Sequence, residues 1–77
     1  MVIEILGPGC KKCGQLYEQT LAAVQALGLD AEVKKIEDMA TIASYGVMST
    51  PALAVDKKVK SVGRVLSQEQ IMTILKG

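Results

Sequence analysis

The chain has no histidine, tryptophan or phenylalanine, and only two cysteines. Without histidine it lacks the commonest general base near neutral pH and the commonest metal ligand. Without tryptophan or phenylalanine, its core has to be built from Leu, Ile, Val, Ala and Met. Charge of either sign is not in excess: the formal net charge is +1, which argues against a nucleic-acid surface or a strongly acidic partner. No apolar run is long enough to span a membrane, and no basic leader precedes one of signal-peptide length. The expected setting is therefore cytoplasmic, with no membrane and no nucleic-acid partner. In a reducing compartment, two close cysteines read as redox or metal chemistry rather than as a structural staple.

What is present centres on residues 7–14, Gly-Pro-Gly-Cys-Lys-Lys-Cys-Gly. Cys10 and Cys13 are separated by two residues, between a short apolar run (Val2 to Leu6) and a helical pattern (Leu16 to Leu27). A strand-to-helix turn puts the pair at a helix N-terminus. The unpaired N–H groups there carry partial positive charge and favour a thiolate. Lys11 and Lys12 add cationic charge, and either can help the cysteine ionise. Cys10, at the tip, suits the exposed nucleophile; Cys13, about one turn on, can close a disulfide behind it. Gly9 allows another backbone to approach Cys10 closely. Three readings of the pair are open here: a redox dithiol, half of a soft-metal (copper or zinc) site, or an inert disulfide.

Seventy-seven residues suit one domain near the lower size limit for a single core. Val2 to Leu6 reads as a central strand covered on both faces, interrupted by Glu4. Tyr17, Leu21 and Val24, widened by Leu16, Ala23 and Leu27, form the buried stripe of a helix that Gly28 stops. Ala31 to Ile36 alternates like an outer strand with one wetter face. Asp38 can cap a short helix whose apolar side is Met39, Ile42 and Ala43 and whose end is Gly46. Pro51 should open a strand rather than sit inside one. Ala52 to Val55, a polar turn at Asp56-Lys57-Lys58, and Val59 to Val62 make an antiparallel hairpin. Ser67 and Gln70 form a capping-box pattern, and Leu66 can staple onto Ile71. Ile71, Ile74 and Leu75 are the buried face of that last helix. The predicted fold is α/β, ordered β-α-β-α-β-β-α: a four-stranded mixed sheet with helices on both faces.

This order, the Cys-X-X-Cys after strand one, the proline-opened hairpin and the closing helix resemble the thioredoxin superfamily over almost the whole chain, 1–77. Tyr45-Gly46-Val47-Met48-Ser49-Thr50-Pro51 is similar to the thioredoxin segment that ends in its cis-proline. Gly63-Arg64-Val65-Leu66-Ser67 is similar to the stretch before the last helix. The short length resembles small glutaredoxin-like thioredoxins, also called small redox-active disulfide proteins. The resemblance implies a thiol–disulfide oxidoreductase that needs no cofactor. Cys10 is then the attacking thiol and Cys13 the resolving thiol. Pro51 is cis and faces the disulfide, Thr50 offers its backbone to an extended substrate segment, and Gly63 leaves room for that segment.

The same resemblance implies a monomer, disulfide-containing protein substrates and a thioredoxin-reductase-like electron donor. This chain departs from the pattern in two places. Gly9 stands where thioredoxins carry Trp, and Lys11-Lys12 stand between the cysteines. Gly63-Arg64-Val65 offers no acid of the kind that holds glutathione in glutaredoxins. Glu4 and Glu32 read as outward, so the sequence does not place an equivalent of the acid that thioredoxins bury behind the resolving cysteine. Small metallochaperones place Cys-X-X-Cys similarly, but they end on a strand, whereas this chain ends on a helix.

Overall fold

A computed structural model describes residues 1–9 and 11–76. The elements run β1 (Val2–Leu6), α1 (Lys11–Leu27), β2 (Glu32–Ile36), α2 (Met39–Ser44), β3 (Ala52–Val55), β4 (Lys58–Val62) and α3 (Gln68–Lys76). The strands lie in the order β2-β1-β3-β4. β1 pairs parallel with β2 (Leu6 opposite Ile36) and antiparallel with β3 (Leu6 opposite Ala52). β1 is thus central and buried on both faces, as its apolar run requires. The fold is thioredoxin-like: a four-stranded mixed sheet with three helices.

Side-chain alternation along β1 sorts the core into two layers. Ile3 and Ile5 pack with Leu16, Ala23, Leu53, Leu66, Ile71 and Leu75 under α1 and α3. Leu6 packs with Ile42, Val47, Ala52 and Ala54 under α2.

Local signals act where the sequence puts them. The Asp38 carboxylate accepts from the Thr41 backbone N–H (3.1 Å) and hydroxyl (2.7 Å) at the start of α2. These bonds hold the Asp38 carboxyl below its ordinary pKa. The capping box at α3 is reciprocal: Gln70 N donates to Ser67 Oγ (3.2 Å), and Ser67 N donates to Gln70 Oε1 (2.9 Å). The hairpin turns on two residues, Asp56 and Lys57, both at positive φ. That is the backbone of a tight hairpin turn matching the twist of its strands. β4 therefore begins at Lys58, one residue earlier than the sequence pattern suggests.

Three expectations change. The buried line of α1 is Cys13, Leu16, Thr20 and Ala23, and Leu21 is 37% exposed. Thr20 takes a central place because its hydroxyl donates to Leu16 O (2.8 Å) within the helix, so it enters the core with its polar group satisfied. On α2 only Ile42 is buried; Met39 is exposed. The six-residue α2 offers the sheet a single inward position. Finally, Glu4 is buried rather than outward.

Candidate active site

Because β1 and β2 run parallel, their C-terminal ends open onto the same edge of the sheet, where ligand-handling residues collect in α/β folds. Gly7 continues β1 there, its N–H donating to Ile36 O at 2.9 Å. α1 begins at Lys11 and brings Cys13 over this edge, with only 5% of Cys13 exposed. Cys13 lies against Gly7: a Cβ on Gly7 would overlap the Cys13 sulfur and sit 3.7 Å from the Thr50 Cβ. Gly7 is thus the floor on which the cysteine and the Thr50 segment meet.

That segment carries the other sequence-predicted residues. The Thr50–Pro51 peptide bond is cis. Pro51 is fully buried, Thr50 is half-buried and Met48 is 95% exposed. Gly63 reaches the segment from the end of β4. Its N–H donates to Pro51 O (2.8 Å), its φ is +73°, and a Cβ there would lie 3.1 Å from Ser49 Cβ. Gly63 is thus tied to Pro51 by this bond and lies close to the Ser49 side chain. Lys11 and Lys12 are exposed on the first turn of α1. The attacking-thiol role predicted for Cys10 falls on a residue outside those described.

Gly9 has φ +85°, in the left-handed region that suits glycine. The position a Cβ would take lies 2.8 Å from Glu37 Oε2. Glu37, just past β2, is one of the residues sequence reasoning missed. It lines a pocket of about 180 Å³ together with Ile5, Gly7, Gly9, Cys13, Gly14 and Lys35. The available signal was parity across parallel strands. Ile5 pairs with Lys35, so Gly7 and Glu37, two residues further on, share the face on which α1 sits. Lys35 lies over the Tyr17 ring, 4.5 Å from its centroid. Among the described residues, no group of three or more Cys, Asp or Glu side chains converges to hold a metal ion.

Glu4 points to the opposite face. It is 7% exposed and accepts a 2.6 Å hydrogen bond from the Tyr45 hydroxyl at the end of α2. Tyr45 Oη–H is held above its ordinary pKa, first by this bond, then by burial and by the Glu4 charge. The bond is therefore present below the unfolded tyrosine pKa of about 10 and is lost as pH rises through the folded value. Tyr45→Phe should destabilise the fold by about 1–3 kcal/mol at neutral pH, because it leaves a buried carboxylate without this donor. Urea unfolding of the two proteins measures this, and the difference should shrink in strongly alkaline buffer.

The family model described as "Thioredoxin domain" matches residues 1–76. The chain belongs to the thioredoxin family. Thioredoxin of Methanothermobacter thermautotrophicus is 45% identical over 75 residues, covering 97% of each chain. Thioredoxin of Methanocaldococcus jannaschii is 43% identical over 76 residues, covering 99% of this chain and 87% of that protein. Thioredoxin-family membership makes this a thioredoxin-like disulfide oxidoreductase. Among the described residues, no helix is long and apolar enough to cross a membrane.

Proposed function

We propose that this thioredoxin-family protein reduces disulfides of protein substrates through a Cys10–Cys13 dithiol, with Cys10 attacking and Cys13 resolving. The observation that carries the reading is the burial of Cys13 against Gly7 and beside Thr50. A sulfur buried there can react only with an atom delivered to it. Cys10, three residues nearer the strand, is the cysteine left to meet a substrate.

In the first step the Cys10 thiolate attacks one sulfur of the substrate disulfide. The substrate S–S bond breaks, one substrate thiol leaves, and a Cys10–substrate disulfide forms. In the second step Cys13, deprotonated, attacks Cys10. The Cys10–Cys13 bond forms, and the second substrate sulfur leaves and is protonated. Two electrons have passed from the dithiol to the substrate. Lys11 and Lys12, with the α1 N-terminus, favour the Cys10 thiolate. Thr50 and Pro51 receive the substrate backbone, Gly9 and Gly63 keep the approach low, and exposed Met48 adds an apolar lip. The protein works as a cytoplasmic monomer and is recharged by a thioredoxin-reductase-like donor.

Insulin reduction tests this. Catalytic amounts of the protein should accelerate dithiothreitol-driven insulin precipitation, and alkylating both cysteines beforehand should abolish the effect. Equilibration in graded thiol buffers should give a two-electron transition below about −250 mV, as for a thioredoxin-type reductant. No acceleration over dithiothreitol alone would sink the proposal.

A further inference from the structure

Resting on that reading, we infer that Glu37 is the proton acceptor for Cys13 in the resolving step. Cys13 must lose its proton before it can attack, and it is buried away from bulk solvent. The buried acid on β1, Glu4, is engaged by Tyr45 on the α2 face. Cys13 lies on the α1 face, with Ile5 and Gly7. Among the described residues that line the pocket with Cys13, the carboxylate is that of Glu37. The pocket, about 180 Å³, has room for a few waters at roughly 30 Å³ each. A proton can therefore pass from sulfur to carboxylate through water. Gly7, Gly9 and Gly14 line the same pocket and add no side chain to it.

The step balances. With the substrate held on Cys10, the Cys13 proton moves through water to Glu37, and the Cys13 sulfur attacks Cys10. The Cys10–substrate bond breaks as the Cys10–Cys13 bond forms. The departing substrate thiolate takes a proton from Glu37 or solvent, which restores the carboxylate. Lys35 is the cation among the described residues of this pocket, and its ammonium lies over the Tyr17 ring. Lys11 and Lys12 lie exposed on the first turn of α1. Asp38, next in sequence, is turned to its cap on Thr41.

The test follows reduced protein mixed with an aromatic dipyridyl disulfide, which releases one coloured thione at attack and a second at resolution. Glu37→Gln should leave the first phase unchanged and slow the second by about 10²-fold, the low end of what a positioned base contributes. The slowed phase should rise about tenfold per pH unit near neutrality, as hydroxide replaces the lost base; the wild-type phase should be flatter. Glu37→Asp should recover part of the rate. Removing a negative charge by itself makes a neighbouring thiol ionise more easily, so a slower second phase reports proton transfer and not electrostatics. Glu37 is exposed, so these variants should fold, which circular dichroism checks. A Glu37→Gln second phase within twofold of wild type across the pH range would overturn the inference and leave the dithiol reading standing. If Cys13→Ser keeps the second phase, the dithiol reading itself fails.

Discussion

Cys13→Ser should turn the protein into a trap: it captures disulfide substrates and does not release them. On the proposed mechanism Cys10 should still attack, but the buried position against Gly7 now holds a hydroxyl, which does not displace a thiolate from a disulfide. The Cys10–substrate adduct should accumulate to near one equivalent and be visible by mass spectrometry and on non-reducing gels. Turnover in the insulin assay should fall by on the order of 10³-fold or more, the scale seen when one member of a catalytic unit is removed. Cys10→Ser should lose turnover to a similar degree but form no adduct, because Cys13 is only 5% exposed and a protein disulfide cannot reach it. The contrast assigns the two roles. An adduct on Cys10→Ser, with none on Cys13→Ser, would reverse them.

Gly7→Ala is the second substitution with a large expected effect. Gly7 is outside the positive-φ glycines, so alanine fits its backbone. The conflict is with the sulfur: the new Cβ would overlap Cys13 Sγ and lie 3.2 Å from Cys13 Cβ. Neither side yields easily, since Gly7 is tied to Ile36 and Cys13 is in the first turn of α1. Overpacking of this kind costs about 1–3 kcal/mol, or several degrees in Tm for a domain of this size. Displacing the sulfur by about 1 Å should also cost about 10²-fold in turnover. The double variant Gly7→Ala/Cys13→Ala removes the obstructing sulfur and should regain most of the stability lost in Gly7→Ala, a coupling that thermal or urea unfolding reads directly. Equal melting of Gly7→Ala and wild type would mean that this close approach constrains nothing.

Much of the fold was legible because its signals are local. The capping box at Ser67 and Gln70 needs only residues three apart. The hairpin needs only Asp56 and Lys57 between two apolar runs. The switch from an apolar strand to a helical pattern around Lys11–Cys13 marked where α1 begins.

Long-range choices were less legible. Leu21 and Thr20 are neighbours on α1, and hydropathy alone favours burying the leucine. The packing of α1 against α3 and the sheet puts Thr20 inside instead. Glu4 interrupts an apolar strand and was expected outward. Both faces of a central strand are covered, so its side chain had to be buried wherever it pointed, and Tyr45, forty-one residues away, supplies the donor. Nothing adjacent in sequence marks Glu37.

The order of the elements, the ends of the helices and the place of Cys13 in the first turn of α1 were readable from sequence alone. These follow from backbone geometry and hydrogen bonds among residues a few positions apart. The surroundings of Cys13 were settled by long-range packing. Parallel registry of β1 and β2 brought Gly7 under Cys13 and Glu37 into the same pocket, and it turned Glu4 toward Tyr45. Strand registry joins residues thirty positions apart, and alternation then fixes the face each side chain takes, a relation that no local pattern carries.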